Sequence, residues 1–509
     1  MQKGSWKVGD RKHHFSTTLW AELYKSREAG DKAVYIDIDD EEKVDDYNKI
    51  YSRWSELPDL VLERIFSYLT MRQKYYASLV CKNWHRAFYL QYVWSHFILA
   101  DSTLTRGRFN YYSGWQYVLD HLRTQLCLTC VGKSFRHLTF EPMLNFYNLY
   151  EFMNMVSWYI EQAYHKQEED MGIGCNIRSL KFTFPCDMSS REETERIRLF
   201  GTGGKLLAAL KRLMGNLKKL VRLELIDLML HPEEAQHLLD EVCDSVGFTL
   251  KYLSLINTTR VPCQILHVGV LLNLQVLKIS PQNLGEDMVE LIGYTNLRHL
   301  HILQNQYTPS DSPVIGVSPK IWKVCRKNNS KLCVHLEVIS NKKKCPVWQE
   351  GAPVRSVLFD SPQTGLHSDV VMNAIEFYKK DLRVFGHKNV PRFYQPKSFH
   401  ERIDGLLLLL CGECLHLQTL VVTERISTCT ILLIAQTTKN IHNLFIRRNA
   451  VIKRCDWPKN SEWSDDFYEW LKINSRNYEL VEKEVSRIIG NKWRMLSDKE
   501  FKVLNINLH

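Results

Sequence analysis

One six-residue pattern, apolar-x-x-apolar-x-apolar, recurs along most of this chain and limits its possible folds more than any other feature. It reads FRHLTF (135–140), IRSLKF (177–182), LVRLEL (220–225), LKYLSL (250–255), LQVLKI (274–279) and LRHLHI (297–302). Looser copies follow in CVHLEV (333–338) and VRSVLF (354–359), with LRVFGH (382–387) a further degenerate one, and the pattern returns in LQTLVV (417–422) and IHNLFI (441–446). In an extended segment successive side chains point to opposite faces, so each copy describes a short strand with one apolar face. Segments between copies, such as HPEEAQHLLDEVCDSV and GEDMVELIGYT, have the apolar spacing of helices returning behind the strands. One copy is a weak signal, because any amphipathic strand produces it. Many copies describe repeats that each bury a face only against their neighbours.

The starts at 250, 274 and 297 lie 24 and 23 residues apart, inside the period of about 20–29 residues that marks leucine-rich repeats. Other intervals are longer and irregular. The predicted array is an irregular leucine-rich-repeat solenoid over 130–455, with parallel strands lining a concave face; an ordinary α/β domain, which also alternates strands and helices, is the alternative. Residues between the apolar positions are candidates for recognising a target: Arg222, Glu224, Lys251, Ser254, Gln275, Lys278, Arg298, His299 and His301. Their basic, amide and imidazole groups suit an acidic or polar protein surface, although a solvated face without a partner reads the same way. The chain changes texture at 456–509, where Ser464 and Asp465 can cap a helix that begins with Phe467, Trp470 and Leu471. Repeat arrays need terminal caps, and a helical C-terminal cap is expected there.

Composition narrows the function classes. The chain has 509 residues, 45% of them hydrophobic, and an excess of 67 Lys+Arg over 57 Asp+Glu. The balance of +10 favours acidic partners without singling out nucleic acid, and no RNA-binding signature accompanies it. The basic opening MQKGSWKVGDRKHH is not followed by an apolar h-region, and the densest apolar run, GLLLLLC (405–411), is far short of the roughly 20 residues a span requires. A soluble protein with no membrane partner, cytoplasmic and/or nuclear, is expected. Residues 1–51, with the acidic stretch DIDDEEKVDD, read as a flexible lead-in.

Chemistry-bearing motifs are sparse. The pairs CLTC (Cys127, Cys130) and CGEC (Cys411, Cys414) have the spacing of a redox dithiol or half a zinc site, but they lie 284 residues apart and suit buried thiols. GTGGK (201–205) lacks the spacing of a phosphate loop and reads as a loop before the helix LLAALKRLM. NKKKC reads as a solvated loop or, alternatively, an import signal. No nucleophile, base and orienting acid can be assembled from spacing. No catalytic residue, metal or cofactor is predicted.

Residues 52–98 carry a different signal. After Ser55 and Pro58, which fit the start of a helix near Leu57, the residues Val61, Leu62, Ile65, Phe66 and Leu69 form an apolar stripe. Tyr75, Tyr76, Leu79, Val80 and Trp84 suggest a second helix, and Trp94 anchors the segment after it. So short a stretch cannot bury all these groups by itself, so part of its surface should meet a partner or the rest of the chain.

The combination LPDLVLERIFSYL, then SLVCKNW, then VW closely resembles the F-box, the three-helix segment by which many proteins bind the adaptor Skp1. The resemblance implies that Leu57, Pro58, Leu60, Ile65, Leu79, Val80, Cys81 and Trp84 lie at or near the adaptor surface. Met71 stands where a proline is common and Lys74 where a leucine is common. An F-box followed by degenerate repeats is similar to the F-box-only substrate receptors of Skp1–cullin–F-box ubiquitin ligases. That similarity implies Skp1, a cullin bound through it and an unidentified target as partners, with no bond chemistry in the chain itself. A Skp1-binding or general interaction scaffold is the alternative.

Overall fold

The computed structural model describes residues 53–111, 114–143, 145–166, 172–184, 204–309, 316–506 and 508. The expected lead-in over 1–51 and the glycines at 201 and 203 fall outside them. The chain divides into two compact units: one runs through Arg178 and takes in Ala208–Leu217, the other comprises Ser179–Leu207 and Lys218–His509.

The first unit opens with a 3-10 turn, Arg53–Glu56, and three short helices, α1 (Asp59–Ser67), α2 (Met71–Ser78) and α3 (Lys82–Phe88). Helix α1 starts two residues later than the sequence suggests. A residue before proline is pushed out of the helical region, so Leu57 cannot begin the helix. Pro58 instead takes the cap position with ψ 148°, and its carbonyl accepts from the Val61 and Leu62 amides at 3.0 and 3.1 Å. The expected second helix is two helices. Thr70 and Gln73 close a capping box at the start of α2, and the Cys81 sulfur accepts from the Trp84 amide at 3.5 Å at the start of α3. The break leaves 79–81 as a connector.

Strand β1 (His96–Leu99) follows, then a hairpin of β2 (Thr105–Asn110) and β3 (Gly114–Leu119), helix α4 (His121–Val131), strand β4 (His137–Phe140) and helix α5 (Phe146–His165). Strands β1 and β4 pair in parallel with His96 beside His137 and Phe97 beside Leu138. That register shows WSHFIL (94–99) to be a copy of the repeat pattern too, with Trp94, Phe97 and Leu99 buried. The antiparallel hairpin exposes Phe109, Trp115 and Tyr117, and no sequence motif announced it.

In the second unit ten parallel strands pair in chain order: β5 (Ser179–Thr183), β6 (Arg222–Ile226), β7 (Tyr252–Ile256), β8 (Val276–Ile279), β9 (His299–Asn305), β10 (Cys333–Ile339), β11 (Val354–Asp360), β12 (Val384–His387), β13 (Thr419–Val422) and β15 (Asn443–Ile446). A separate short ladder joins β14 (Ile426–Ser427) to β16 (Val451–Ile452). Every copy of the pattern thus contains a parallel strand, and its fourth and sixth residues are buried throughout, from Leu138 and Phe140 to Leu444 and Ile446. At about 1.5–3 kcal/mol for each large side chain removed from water, these repeated pairs are the main support of the array.

Helices alternate with the strands: α6 (Lys205–Asn216), α7 (Pro232–Val246), α8 (Glu286–Ile292), α9 (Pro319–Asn328), α10 (Ser368–Tyr378), α11 (Asp404–Glu413) and α12 (Thr428–Thr437). Three more, α13 (Asp465–Asn474), α14 (Tyr478–Ile489) and α15 (Asp498–Lys502), follow the last strand. The fold is therefore an N-terminal helical module followed by a long parallel-strand, leucine-rich-repeat-like region with helices at its C-terminal end.

The repeat frame slips once. From β5 to β9 the third residue of each copy pairs with the third of the next, and the same holds from β11 to β15. Between β9 and β10, however, His301 pairs with His335, so the CVHLEV copy stands two residues out of phase with LRHLHI. A shift of two keeps each side chain on its own face, so the apolar face is uninterrupted. A bulge that skips Arg355 lies between β10 and β11.

Gly386 explains the most degenerate copy. Its φ is +145°, and a Cβ there would meet the Val421 carbonyl oxygen at 2.1 Å, so LRVFGH needs glycine where other copies carry a side chain. Beyond the ends of β6, β7 and β9 a buried polar group ties the turns together. The Asn257 amide donates to Asp227 at 2.7 Å and to the Asn305 side-chain oxygen at 2.6 Å, while Ser280, Gln282 and Thr308 donate to the Asn257 oxygen. Asp227, Met229 and Asn257 all have positive φ there. No helix of the described residues is long and apolar enough to cross a membrane.

Candidate functional site: an exposed apolar docking surface

The three-helix module holds its chain start firmly. Trp84 donates from its indole nitrogen to the Trp54 carbonyl at 2.9 Å, and Asn83 donates to the carbonyls of Ser55 and Leu57, both at 3.1 Å. Trp84 also meets Phe66 edge-on, with ring centroids 5.8 Å apart. Behind them Trp94 is buried against Phe88, its indole nitrogen 2.6 Å from the Phe88 carbonyl. Lys74 fills the place where the resemblance favours leucine: it is 6% exposed, donates to the Val93 carbonyl at 2.6 Å and lies 4.8 Å from the Trp94 ring centroid. Burial lowers its amine from 10.5 to about 8.

With this frame fixed, a set of apolar side chains stays in water. Leu60 is 79% exposed, Leu79 56% and Val80 65%, and Pro58 is exposed beside them. Leu57, Ile65, Cys81 and Trp84 are half-buried. The predicted residues therefore divide into an exposed group and a supporting group. Trp54, Tyr68 and Tyr76, the last read only as part of the second helix, are also exposed; the signal for the first two was a large aromatic side chain off the α1 stripe. A module with so much apolar surface in water has the character of a docking surface.

These observations define a class: a small helical module with an exposed apolar surface ahead of a long repeat region. The family model described as F-box-like matches residues 54–100, so an F-box-like segment precedes the parallel-strand region. No curated protein matches the chain.

The face of the sheet turned away from the helices carries the other predicted positions. Arg222 is exposed, pairs with Glu224 at 2.6 Å and lies 3.6 Å from the Tyr252 ring centroid. Lys251 and Arg298 are exposed, and Lys278 and His299 half-buried. His301 does not have the exposure expected of it: it is 1% exposed because His335 stacks on it with ring centroids 4.5 Å apart and Glu337 accepts from its Nδ1. Ser254, also expected in solvent, is buried. Burial alone would raise the Glu337 carboxyl, but the His301 hydrogen bond and the charges of His301, Lys278 and Lys388 outweigh it and hold the group at about 2.

Farther along, this open face is covered by the chain's own end. Phe501 and Ile506 are buried in one cluster with Leu358 of β11 and Val421 of β13, and Val384, Phe445, Leu496, Leu504 and Leu508 pack against it. Arg447 and Asp498 pin the segment at 2.7 Å.

The cysteine pairs offer little to redox chemistry. Cys127 is fully buried and its thiol is pushed up by burial, while Cys411 and Cys414 are pushed up to about 11 and about 12. The thiols that do meet are ones the sequence did not suggest, Cys429 and Cys455, with sulfurs 3.3 Å apart. Hydrogen bonding from Cys429 lowers the Cys455 thiol below its ordinary value. Among the described residues no group of three or more His, Cys, Asp or Glu side chains could hold a metal ion.

Proposed function

We propose that this chain is the substrate-recognition subunit of a Skp1–cullin–F-box ubiquitin ligase, a receptor that performs no bond chemistry. The observation that carries the reading is the exposed apolar group of Leu60, Leu79 and Val80 on an F-box-like segment. Skp1 docks on that surface and brings the cullin, while the repeat region holds a target on its open face through positions such as Arg222, Lys251, Lys278 and Arg298. Holding the target raises the effective concentration of its lysines near the ubiquitin-conjugating enzyme. The test is co-purification of the full chain with Skp1 and cullin, followed by a search for proteins whose ubiquitination requires the assembled complex. A complex that contains Skp1 but never recruits cullin would instead make the chain a Skp1-binding scaffold.

A further inference from the structure

The open face of the second unit has a charge imbalance that its fold does not use. Lys181 on β5 and Lys278 on β8 stand on it, and Lys251, Arg298, Arg355 and Arg383 line its edge at the entries to β7, β9, β11 and β12, all half-buried or exposed. Among the described residues none of these six side chains makes a hydrogen bond or ion pair; of the acids on these strands, Glu224 is paired with Arg222, Glu337 with His301 beside the charge of Lys278, and Asp360 accepts from Asn389. Elsewhere in the unit Arg326, Arg402, Arg447, Arg454, Arg487 and Arg494 each have a carboxylate partner. Unanswered cations along a sheet face reinforce one another's field and raise the local concentration of anions.

Resting on the receptor reading, we infer that the strand-entry edge of this face binds an extended, acidic peptide segment of the target protein, running past the strands from β7 to β12. The spacing fits. The main chain of Arg383 donates to the Arg355 carbonyl at 2.8 Å, so these two side chains leave neighbouring strands about 4.8 Å apart. From β9 to β12 the cations span about 14 Å, the reach of four to five extended residues. The covered part of the face does not interfere: His301, His335 and Ser356 are buried and Phe501 and Ile506 sit on Leu358 and Val421, while Arg298 and Arg383 stay exposed at the strand entries. A nucleic-acid strand is disfavoured here: single strands are held by stacking on aromatic rings, and the ring of Tyr252 is already covered by Arg222.

The test is fluorescence anisotropy of a labelled dodecaglutamate peptide with the full chain at low and high salt, with labelled dodecathymidylate in parallel. The variant is Arg298→Glu, Arg355→Glu, Arg383→Glu, with a matching Arg→Gln triple that removes the charge more mildly. The control is Lys320→Glu, Lys323→Glu, Lys327→Glu on α9, which makes the same charge change on the helix layer. The expected result is salt-sensitive peptide binding weakened about tenfold or more by the reversal, less by the glutamine triple, and unchanged by the α9 control. Equal weakening by the control, or no peptide binding by the intact chain at low salt, overturns the inference. Tighter binding of the oligonucleotide, lost in the same triple, overturns it in favour of nucleic acid. Skp1 binding measured on the same preparations separates the readings: retained Skp1 binding without peptide binding sinks this inference alone, whereas absent Skp1 binding sinks the receptor reading.

Discussion

Lys74 gives the F-box-like segment a buried amine where a leucine would pack, and its cost can be worked from its surroundings. Burial lowers the amine from 10.5 to about 8, a difference worth about 3 kcal/mol at roughly 1.4 kcal/mol per pKa unit. The sign follows from proton counting. Between pH 8 and 10.5 the unfolded chain holds the proton more tightly than the folded one, so stability rises with pH across that window, and below pH 8 the full penalty is present. Lys74→Leu removes the penalty but leaves the Val93 carbonyl without its 2.6 Å donor, which costs about 1–3 kcal/mol. The net expectation near pH 7 is a gain of about 0–2 kcal/mol, or a rise of up to about 8 °C in the midpoint of the first unit's transition. Calorimetry of the intact chain and the variant at pH 7.5 and pH 10 measures this. The variant's advantage should be largest at pH 7.5 and should vanish or reverse at pH 10, where most of the penalty is gone but the carbonyl still lacks its donor. A lower midpoint for the variant at pH 7.5, or a gap that does not change with pH, refutes the reasoning.

Phe501→Ala removes a fully buried ring from the cluster with Leu358 and Val421, a loss of about 3–5 kcal/mol. Hydrogen exchange should show lost protection confined to 496–506 while β5–β10 stay protected; loss across all strands would mean the segment is integral to the array. Cys455, lowered by hydrogen bonding from Cys429, should be alkylated by iodoacetamide at neutral pH well ahead of buried Cys411, whose thiol burial pushes up; mass spectrometry of the labelled peptides would expose the opposite order.

The strands were legible because burial in a stacked array repeats the same demand at fixed positions. Leu223, Leu253, Leu277 and Leu300 all answer it, and each is buried. The copy at 94–99 is masked in the sequence because Trp94 also closes the helical module against Phe88 and so serves both structures. The two-residue slip at β10 was invisible because a shift of two leaves the alternation intact. Burial of the open face did leave a trace: the fifth position of early copies is Thr, Lys, Glu, Ser, Lys and His, but in VRSVLF, LQTLVV and IHNLFI it is Leu358, Val421 and Phe445. Apolar residues on both faces of a strand call for a second covering element. In the docking module, Leu60, Leu79 and Val80 are named by resemblance, while Leu79 and Val80 are exposed in the break between α2 and α3 that Cys81 caps. His301 was misjudged because its burial comes from His335 and Glu337, contributed by a strand more than thirty residues away.

The central claim is that the exposed apolar surface of the F-box-like segment docks Skp1. Isothermal titration of purified Skp1 into the full chain and into a Leu79→Asp, Val80→Asp variant tests it most directly. Both side chains lie more than half in solvent, so the variant should keep the intact chain's circular dichroism. The account predicts binding by the intact chain and a loss of about a hundredfold or more in the variant, since each side chain contributes about 1.5–3 kcal/mol when buried. Equal affinity for the folded variant, or no Skp1 binding by the intact chain, would contradict it.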